Sequence, residues 1–197
     1  VLRGEFDRSI RTLDDLESRL GIPALAQIPK LPRRVRDGIS RRLLDAPQAE
    51  DSVAIRTILT GVMLADITAP SRTVLVTSAL PNEGKTTLAC NLALASAQTK
   101  RTVLIDGDMS QSQLPGRMLL TPGQPGLTNV LSGTLDLDEA FCAAPDSALL
   151  VLPVGDQMPA GAGEIFLSEA FHDLLGRLSE RFEVIIIDSP PVELVGD

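Results

Sequence analysis

One loop in the sequence has the residue types and spacing that bind a polyphosphate. Residues 79–86 read Ala-Leu-Pro-Asn-Glu-Gly-Lys-Thr, the spacing of a phosphate-binding loop with alanine in place of its first glycine. Backbone N–H groups of such a loop, backed by a helix N-terminus, surround phosphate oxygens. The Lys85 side chain would reach the β- and γ-phosphates, and the Thr86 hydroxyl would bind Mg²⁺. We therefore predict a nucleotide site formed by Pro81, Asn82, Glu83, Gly84, Lys85, Thr86 and Thr87.

Three aspartates stand at the ends of two further apolar runs. Residues 103–108 read Val-Leu-Ile-Asp-Gly-Asp, so Asp106 and Asp108 are two apart and project to the same side of an extended chain. Asp188 ends the run Val-Ile-Ile-Ile-Asp. A lone acidic residue at a strand end is more often a cap or turn residue. Because ligands of open α/β sheets bind outside the carboxyl ends of strands, we expect these three to converge with the loop on one nucleotide and Mg²⁺ site.

The elements that position these residues are short apolar runs alternating with helical patterns. Such alternation predicts βαβ units and a parallel sheet covered on both faces. The fold class is therefore α/β: a P-loop NTPase with a doubly wound, mostly parallel sheet flanked by helices, whose last strands we expect beyond residue 197. We predict strands at 73–77, 103–106, 149–154 and 184–188, and helices at 12–20, 50–65, 84–97, 135–143 and 165–181.

Composition excludes several classes of function. The 197 residues carry a net charge of −8 and only 3% aromatic residues, with neither Trp nor Tyr. An acidic chain without these rings is poorly suited to bind nucleic acid, and we expect none as a partner. Cys90 and Cys142 are too few for a disulfide scaffold and lack the spacing of a metal site. His172, the one histidine, is interpreted as structural or surface.

Positive charge is concentrated near the start of the chain. The stretch 30–42 has six basic residues and one acidic residue, a net of +5, which leaves −13 for the rest. Pro29 and Pro32 interrupt it, which is typical of a connector between a leading segment and the main domain. Two interpretations stay open. The stretch is a solvated linker, or it lies against anionic lipid, which attracts basic residues near a membrane surface.

With these motifs in place, the chain resembles the bacterial tyrosine kinases of capsule and exopolysaccharide export. Their Walker A, Walker A′ and Walker B motifs are similar to residues 79–86, 103–108 and 184–188, and residues 126–133 are similar to a stretch that follows their A′ motif. The resemblance begins at about residue 50. It implies three parts: residues 1–30 as the cytoplasmic exit of a membrane-anchored chain-length-determinant domain, 31–49 as a basic juxtamembrane linker, and 50–197 as a kinase domain truncated at its C-terminus.

The resemblance also implies an activity and its residues. The protein would be an ATP- and Mg²⁺-dependent tyrosine autokinase that regulates polysaccharide polymerisation and export at the cytoplasmic face of the bacterial inner membrane. Thr86, Asp108 and Asp188 would hold the metal, and Asp106 is the best candidate to accept the tyrosine hydroxyl proton. Which aspartate serves as the base stays open. The catalytic residues implied are Lys85, Asp106, Asp108 and Asp188.

The implied partners are protein tyrosine substrates, the membrane-anchored domain and further copies of the chain. The family assembles, for example as a ring, through a Glu-x-x-Arg-x-x-Arg helix. Here Glu50 and Arg56 match it, but Val53 stands at the middle position. A second departure is Ser110, where the family has a basic residue. The tyrosine-rich tail on which these kinases autophosphorylate is also expected beyond residue 197.

Two other functions compete with the kinase. One is a regulatory ATP-binding co-polymerase module that does not phosphorylate tyrosine. The other is an ATPase switch of the partitioning and cell-division-site type. Those ATPases carry an extra lysine early in the phosphate-binding loop, where this chain has Leu80. This difference favours the kinase branch.

Overall fold

The computed structural model describes residues 12–30, 43, 45–65, 68–69, 71–155 and 165–192. Its centre is a five-stranded sheet, whose strands are numbered β1 to β5 in chain order from Arg72–Val76 to Val184–Asp188 and lie in the order β1-β5-β2-β4-β3. Strands β1, β5, β2 and β4 run parallel, and β3 pairs antiparallel with β4. The predicted α/β class with a mostly parallel sheet is thus confirmed. The strands are β1 Arg72–Val76, β2 Thr102–Asp106, β3 Cys142–Ala143, β4 Leu150–Leu152 and β5 Val184–Asp188.

The register of the three strands β1, β5 and β2 aligns their carboxyl ends. Asp188 at the end of β5 is paired with Val76 of β1 on one side and with Asp106 of β2 on the other. Every residue of β2 and β5 is buried, as their continuous apolar sequence predicts for parallel strands covered on both faces. Two of the predicted site residues are therefore side by side at one edge of the sheet.

Helices cover both faces of the sheet because successive strand residues point to opposite sides. Leu104 and Ile186 pack into one core with helix α3 (Lys85–Ser96), whereas Val103 and Ile185 pack into a second core with helix α6 (Glu169–Arg181). The sheet is therefore doubly wound, as predicted. The helices are α1 Leu13–Leu20, α2 Glu50–Leu64, α3 Lys85–Ser96, α4 Leu114–Met118, α5 Leu127–Leu131 and α6 Glu169–Arg181.

Local signals account for the bounds of the well-predicted helices. At α1, the Thr12 side chain accepts a hydrogen bond from the Asp15 N–H, and the Asp15 carboxylate accepts one from the Thr12 N–H. This reciprocal cap fixes the start of the helix. Gly21, at φ 68°, ends it in the left-handed conformation that glycine adopts without strain. Helix α6 begins at Glu169 rather than at residue 165, because the Ser168 side chain accepts a hydrogen bond from the Phe171 N–H.

One predicted helix is wrong. Residues 135–143 form a tight turn followed by strand β3. The Ala140 N–H reaches only to the Leu137 carbonyl, three residues back. Cys142–Ala143 then pairs with the edge of β4, and Pro145 disfavours a helical conformation at the residue before it. Leu137 and Ala140 are both buried and lie three positions apart. This spacing matches a helix for a single turn, which explains the wrong prediction.

Most of the predicted linker and the first part of the predicted leading segment lie outside the described residues. Of the stretch 31–49, only residue 43 and residues 45–49 are described, and of 1–30 only 12–30. Among the described residues, no helix is both long and apolar enough to cross a membrane.

Candidate active site

The phosphate-binding loop connects β1 to α3 at the aligned strand ends. Gly84, at φ 96°, is the residue that precedes α3, and a left-handed conformation there favours glycine. The Leu80 N–H donates to Glu83 Oε2 at 3.0 Å, which closes the loop on itself. Pro81, Asn82, Glu83 and Gly84 are all exposed. Since no side chain of the described residues caps the first turn of α3, its N–H groups and those of the loop are open to a ligand.

Lys85 of the phosphate-binding loop forms an ion pair with Asp108. Lys85 Nζ lies 2.6 Å from Asp108 Oδ2. The other oxygen, Oδ1, accepts hydrogen bonds from the Ser110 hydroxyl at 3.0 Å and the Gln111 N–H at 3.1 Å. Burial alone would raise the pKa of Asp108, but these hydrogen bonds and the charge of Lys85 lower it below its ordinary value. Asp108 is thus ionised and held by three donors.

Asp106 sits deeper and has a different environment. Its Oδ2 accepts a hydrogen bond from the Ser112 hydroxyl at 2.5 Å. Burial raises the pKa of Asp106 to about 7, against the effect of that hydrogen bond and with a further contribution from the charge of Asp188. A carboxylate with a pKa near neutrality can both accept and release a proton at physiological pH.

Asp188 completes the acidic cluster at the end of β5. Burial raises the pKa of its carboxyl to about 6, opposed by the neighbouring Thr86 hydroxyl and by the charge of Lys85. Asp188 is fully buried, and Thr86 is buried beside it. The first two residues of α3 therefore approach both acidic strand ends, Lys85 at Asp108 after β2 and Thr86 at Asp188 of β5.

Three carboxylate oxygens in this cluster have no partner with hydrogen-bond geometry within the described part of the chain: Asp106 Oδ1 and both oxygens of Asp188. Buried acceptors of this kind are costly unless a ligand satisfies them. No group of three or more His, Cys, Asp and Glu side chains among the described residues could by itself hold a metal ion. The arrangement suits Mg²⁺, which binds through one or two carboxylates together with phosphates and water.

Comparisons with known proteins assign the family. No family model matches the chain. The tyrosine-protein kinase ptk of Acinetobacter johnsonii is 31% identical over 206 residues, which span all of this chain and 28% of the relative. The solved chimerical protein CapA2B2 is 32% identical, with a TM-score of 0.80 over 92% of this chain and 76% of that structure. The kinase domain of VpsO is 36% identical, with a TM-score of 0.65 over 78% of this chain and 74% of that structure.

The chain belongs to the bacterial tyrosine kinases. It spans about three tenths of the length of the first curated relatives that it matches. The septum site-determining protein MinD of Pyrococcus horikoshii, solved with Mg-ADP, aligns with 61% of the chain at 23% identity and a TM-score of 0.50. Its likeness to this kinase-family chain therefore lies in the nucleotide-binding fold alone.

The site of this kinase-family member gathers most, but not all, of the predicted residues. Lys85 pairs with Asp108, and Thr86 and Lys85 both lie near Asp188, whereas Asp106 is bound by Ser112. Thr87 lines a cavity that none of the three aspartates lines. Sequence reasoning missed Ser112 altogether and registered Ser110 only as a departure from the family. The sequence does contain a signal for both serines, since hydroxyl residues stand two and four positions after Asp108. If the chain turns back at this point, their hydroxyls come close to the carboxylates of Asp106 and Asp108.

Proposed function

We propose that this chain carries the phosphotransfer site of an ATP- and Mg²⁺-dependent protein-tyrosine kinase that regulates capsule or exopolysaccharide export. The observation that carries the proposal is the acidic cluster beside the exposed phosphate-binding loop. In this cluster Asp108 is ionised and bound by Lys85. One oxygen of Asp106 and both oxygens of Asp188 have no hydrogen bond within the described part of the chain. Phosphoryl transfer needs positioning, charge neutralisation and a carboxylate near the nucleophile.

Each residue has a role that its surroundings support. The loop N–H groups and Lys85 would neutralise phosphate charge, and Thr86, Asp108 and Asp188 would hold the metal. A bound Mg²⁺ supplies further neutralisation of the charge that develops on the transferred phosphoryl group. Asp106 is the proposed acceptor of the tyrosine hydroxyl proton, since its Oδ1 has no partner among the described groups and its pKa is about 7.

The proposal extends to the setting of the domain. We propose three parts: residues 1–30 as an exit segment of a membrane-anchored chain-length-determinant domain, 31–49 as a juxtamembrane linker and 50–197 as the kinase domain. We propose that the kinase domain lies at the cytoplasmic face of the inner membrane. Curated relatives more than three times as long as the matched region leave room for such an attached domain. The basic stretch 30–42 suits an anionic membrane surface.

We propose that copies of the chain assemble through α2. Glu50, Val53 and Arg56 are all exposed, and residues three apart lie on one side of a helix. Two of the three positions keep the charged residues of the family pattern. The tyrosine substrates would then include other copies of the protein, whose acceptors lie outside these 197 residues because the sequence contains no tyrosine.

The test is phosphotyrosine formation by the full protein with labelled ATP and Mg²⁺. We expect label in the wild type and none in Lys85→Met. Lys100→Met is the matched control, because Lys100 pairs with Glu183 at 3.0 Å, far from the loop, and should keep the label. Bound ATP without phosphotyrosine would instead support the regulatory module. ATP hydrolysis without transfer to tyrosine would support the ATPase switch.

A further inference from the structure

A phenyl ring packs against the backbone between two aspartates of the acidic cluster. Gly107 separates Asp106 from Asp108 and is buried. A Cβ added to Gly107 would lie 2.7 Å from Cζ of Phe166 and 3.2 Å from its Cε1, and the first distance is shorter than real Cβ contacts. The tip of the Phe166 ring therefore occupies the space that a side chain at residue 107 would need. Such a close approach to the backbone requires glycine.

The placement of the two aspartates depends on the backbone of Gly107. Its N–H donates to the Asp188 carbonyl at 2.8 Å, which extends the pairing of β2 with β5 one residue past Asp106. Its carbonyl accepts a hydrogen bond from the Met109 N–H at 3.1 Å, which closes a three-residue turn around Asp108. A shift of this glycine therefore moves both carboxylates relative to the end of β5.

The Phe166 ring is itself held in place by the start of α6. It packs edge-on against Phe171, with the ring centroids 5.1 Å apart and the planes at 86°, an arrangement that aromatic pairs prefer. Phe171 is buried in the second core. The Ser168 N–H and hydroxyl both donate to the Ile165 carbonyl, at 3.0 and 2.7 Å, and so close the turn that carries Phe166. The ring is thus anchored on two sides.

The ring and the hydroxyl groups near the site act on different parts of the aspartates. Ser110 and Ser112 donate hydrogen bonds to the carboxylate oxygens of Asp108 and Asp106 and so orient the side chains. Phe166 contacts the backbone from which both side chains extend. Phosphoryl transfer depends on positioning, and a misplacement of about 1 Å can lower a rate about a hundredfold.

We infer that Phe166 is a positioning residue for phosphotransfer. Its ring holds Gly107 against the end of β5 and thereby sets the distances among the carboxylates of Asp106, Asp108 and Asp188. The inference rests on the proposed function, because these distances matter to a rate only if the cluster carries out the transfer. A residue that precedes α6, far from every phosphate-binding motif in the sequence, then belongs to the machinery of the site.

Steady-state phosphotyrosine formation by the full protein, with labelled ATP and Mg²⁺, tests the role in the reaction. Phe166→Ala removes the ring and should lower kcat at least about tenfold. It should change KM for ATP by less than about threefold, because the phosphates bind a loop in a different segment of the chain. Phe166→Met places a flexible apolar side chain of similar reach in the gap and should bring kcat back to within about threefold of the wild type.

Phe141→Ala is the matched control, because it removes the same ring from the same core. Phe141 is half-buried and packs against the second core, as Phe166 does. Its ring lies 5.7 Å from that of Phe182, which precedes β5 and is therefore at the opposite end of that strand from Asp188. Phe141→Ala should lower the melting temperature and leave kcat near that of the wild type.

Hydrogen exchange of the Gly107 amide gives a readout that does not depend on activity. In metal-free protein, Phe166→Ala should speed this exchange about tenfold or more relative to Phe141→Ala, since the N–H bonded to the Asp188 carbonyl is then less firmly held. Equal kcat and equal Gly107 exchange in the two alanine variants, with an active wild type, would overturn the inference and leave the proposed function standing. A wild type that forms no phosphotyrosine would overturn both.

Discussion

Lys85 Nζ and Asp108 Oδ2 are 2.6 Å apart, and their side chains are only 9% and 3% exposed. The pair links the phosphate-binding loop to the acidic end of β2. Because the lysine that should bind phosphate is already neutralised, an incoming nucleotide must compete with Asp108 for it. A buried pair is also sensitive to the loss of one member, which leaves an uncompensated charge.

The first prediction concerns the stability of this pair without nucleotide. Asp108→Ala should lower the free energy of unfolding by about 3 kcal/mol, because Lys85 stays buried without its partner. Adding Lys85→Met to Asp108→Ala should recover at least about 1 kcal/mol, since it removes the orphaned charge. Urea unfolding followed by circular dichroism measures both. Glu183→Ala, which breaks the exposed pair with Lys100, should cost less than Asp108→Ala. A double variant less stable than Asp108→Ala would contradict the prediction.

The second prediction concerns pH and Asp106. Burial raises the pKa of this carboxyl to about 7, so the folded protein holds the proton more tightly than the unfolded chain does. The resulting stabilisation is complete below about pH 4 and is lost as pH rises through about 7. In metal-free protein, Asp106→Asn should therefore raise the free energy of unfolding by on the order of 2 kcal/mol at pH 8 and have a much smaller effect at pH 5.

Thermal unfolding at several pH values, with a chelator present, measures this difference. Asp173→Asn, at an exposed position of α6, controls for the loss of one carboxylate from the surface and should give similar shifts at pH 5 and pH 8. If Asp106→Asn destabilises the protein equally at both pH values, the ionised Asp106 carboxylate does not lower the stability of the folded protein as its burial implies.

Sequence patterns predicted the sheet and the core of the site because both depend on local rules. The apolar runs that end in Asp106 and Asp188 must be buried strands, and parallel strands place their carboxyl ends at one edge. The motif spacing placed Lys85 and Thr86 directly. Residues 135–143 could not be predicted in the same way, since the edge of β4 decides their conformation and that edge is formed by residues later in the chain.

The contacts that tune the site were also beyond sequence reasoning. Whether Ser112 turns back to Asp106 depends on the path of the chain between β2 and α4, which no periodicity records. The same is true of Ser52 and Ile28, which line one cavity with residues of the loop only because of how α2 and residues 28–30 pack. These contacts join segments that are distant in the sequence, and no local sequence pattern predicts such contacts.

The third prediction concerns Ser112 as a positioning residue for the proposed base. Its hydroxyl donates to Asp106 Oδ2 at 2.5 Å, which orients the other oxygen toward the site. Ser112→Ala should lower kcat for phosphotransfer roughly tenfold without changing the affinity for ATP, because the hydrogen bond of this serine goes to Asp106 rather than to a loop residue. Ser112→Thr keeps the donor and should restore most of the rate. Ser179→Ala, at an exposed position of α6, should leave kcat unchanged. Equal losses in the Ala and Thr variants would rule out the hydrogen bond as the cause.

The fourth prediction contrasts two glycines in different surroundings. At Gly126, an added Cβ would lie 2.0 Å from the Pro153 carbonyl oxygen, and the neighbouring Leu127 N–H donates to that same oxygen at 2.8 Å. The segment therefore cannot move away without losing this contact with the end of β4, and Gly126→Ala should cost about 3 kcal/mol of unfolding free energy. Gly176 lies within α6, and apart from its own helix no atom of the described residues comes within 4 Å of an added Cβ.

Gly176→Ala should therefore stabilise the protein by about 0.5–1 kcal/mol, because alanine loses less backbone entropy in a helix than glycine does. Urea unfolding of the two variants beside the wild type measures both effects with the same chemical change. Gly126→Ala should lower the free energy of unfolding, whereas Gly176→Ala should raise it. Opposite effects of the same substitution show that the loss at Gly126 comes from the clash with the Pro153 carbonyl. A Gly126→Ala protein as stable as the wild type would mean that residues 126–131 do not pack against the end of β4 as closely as the distances above require.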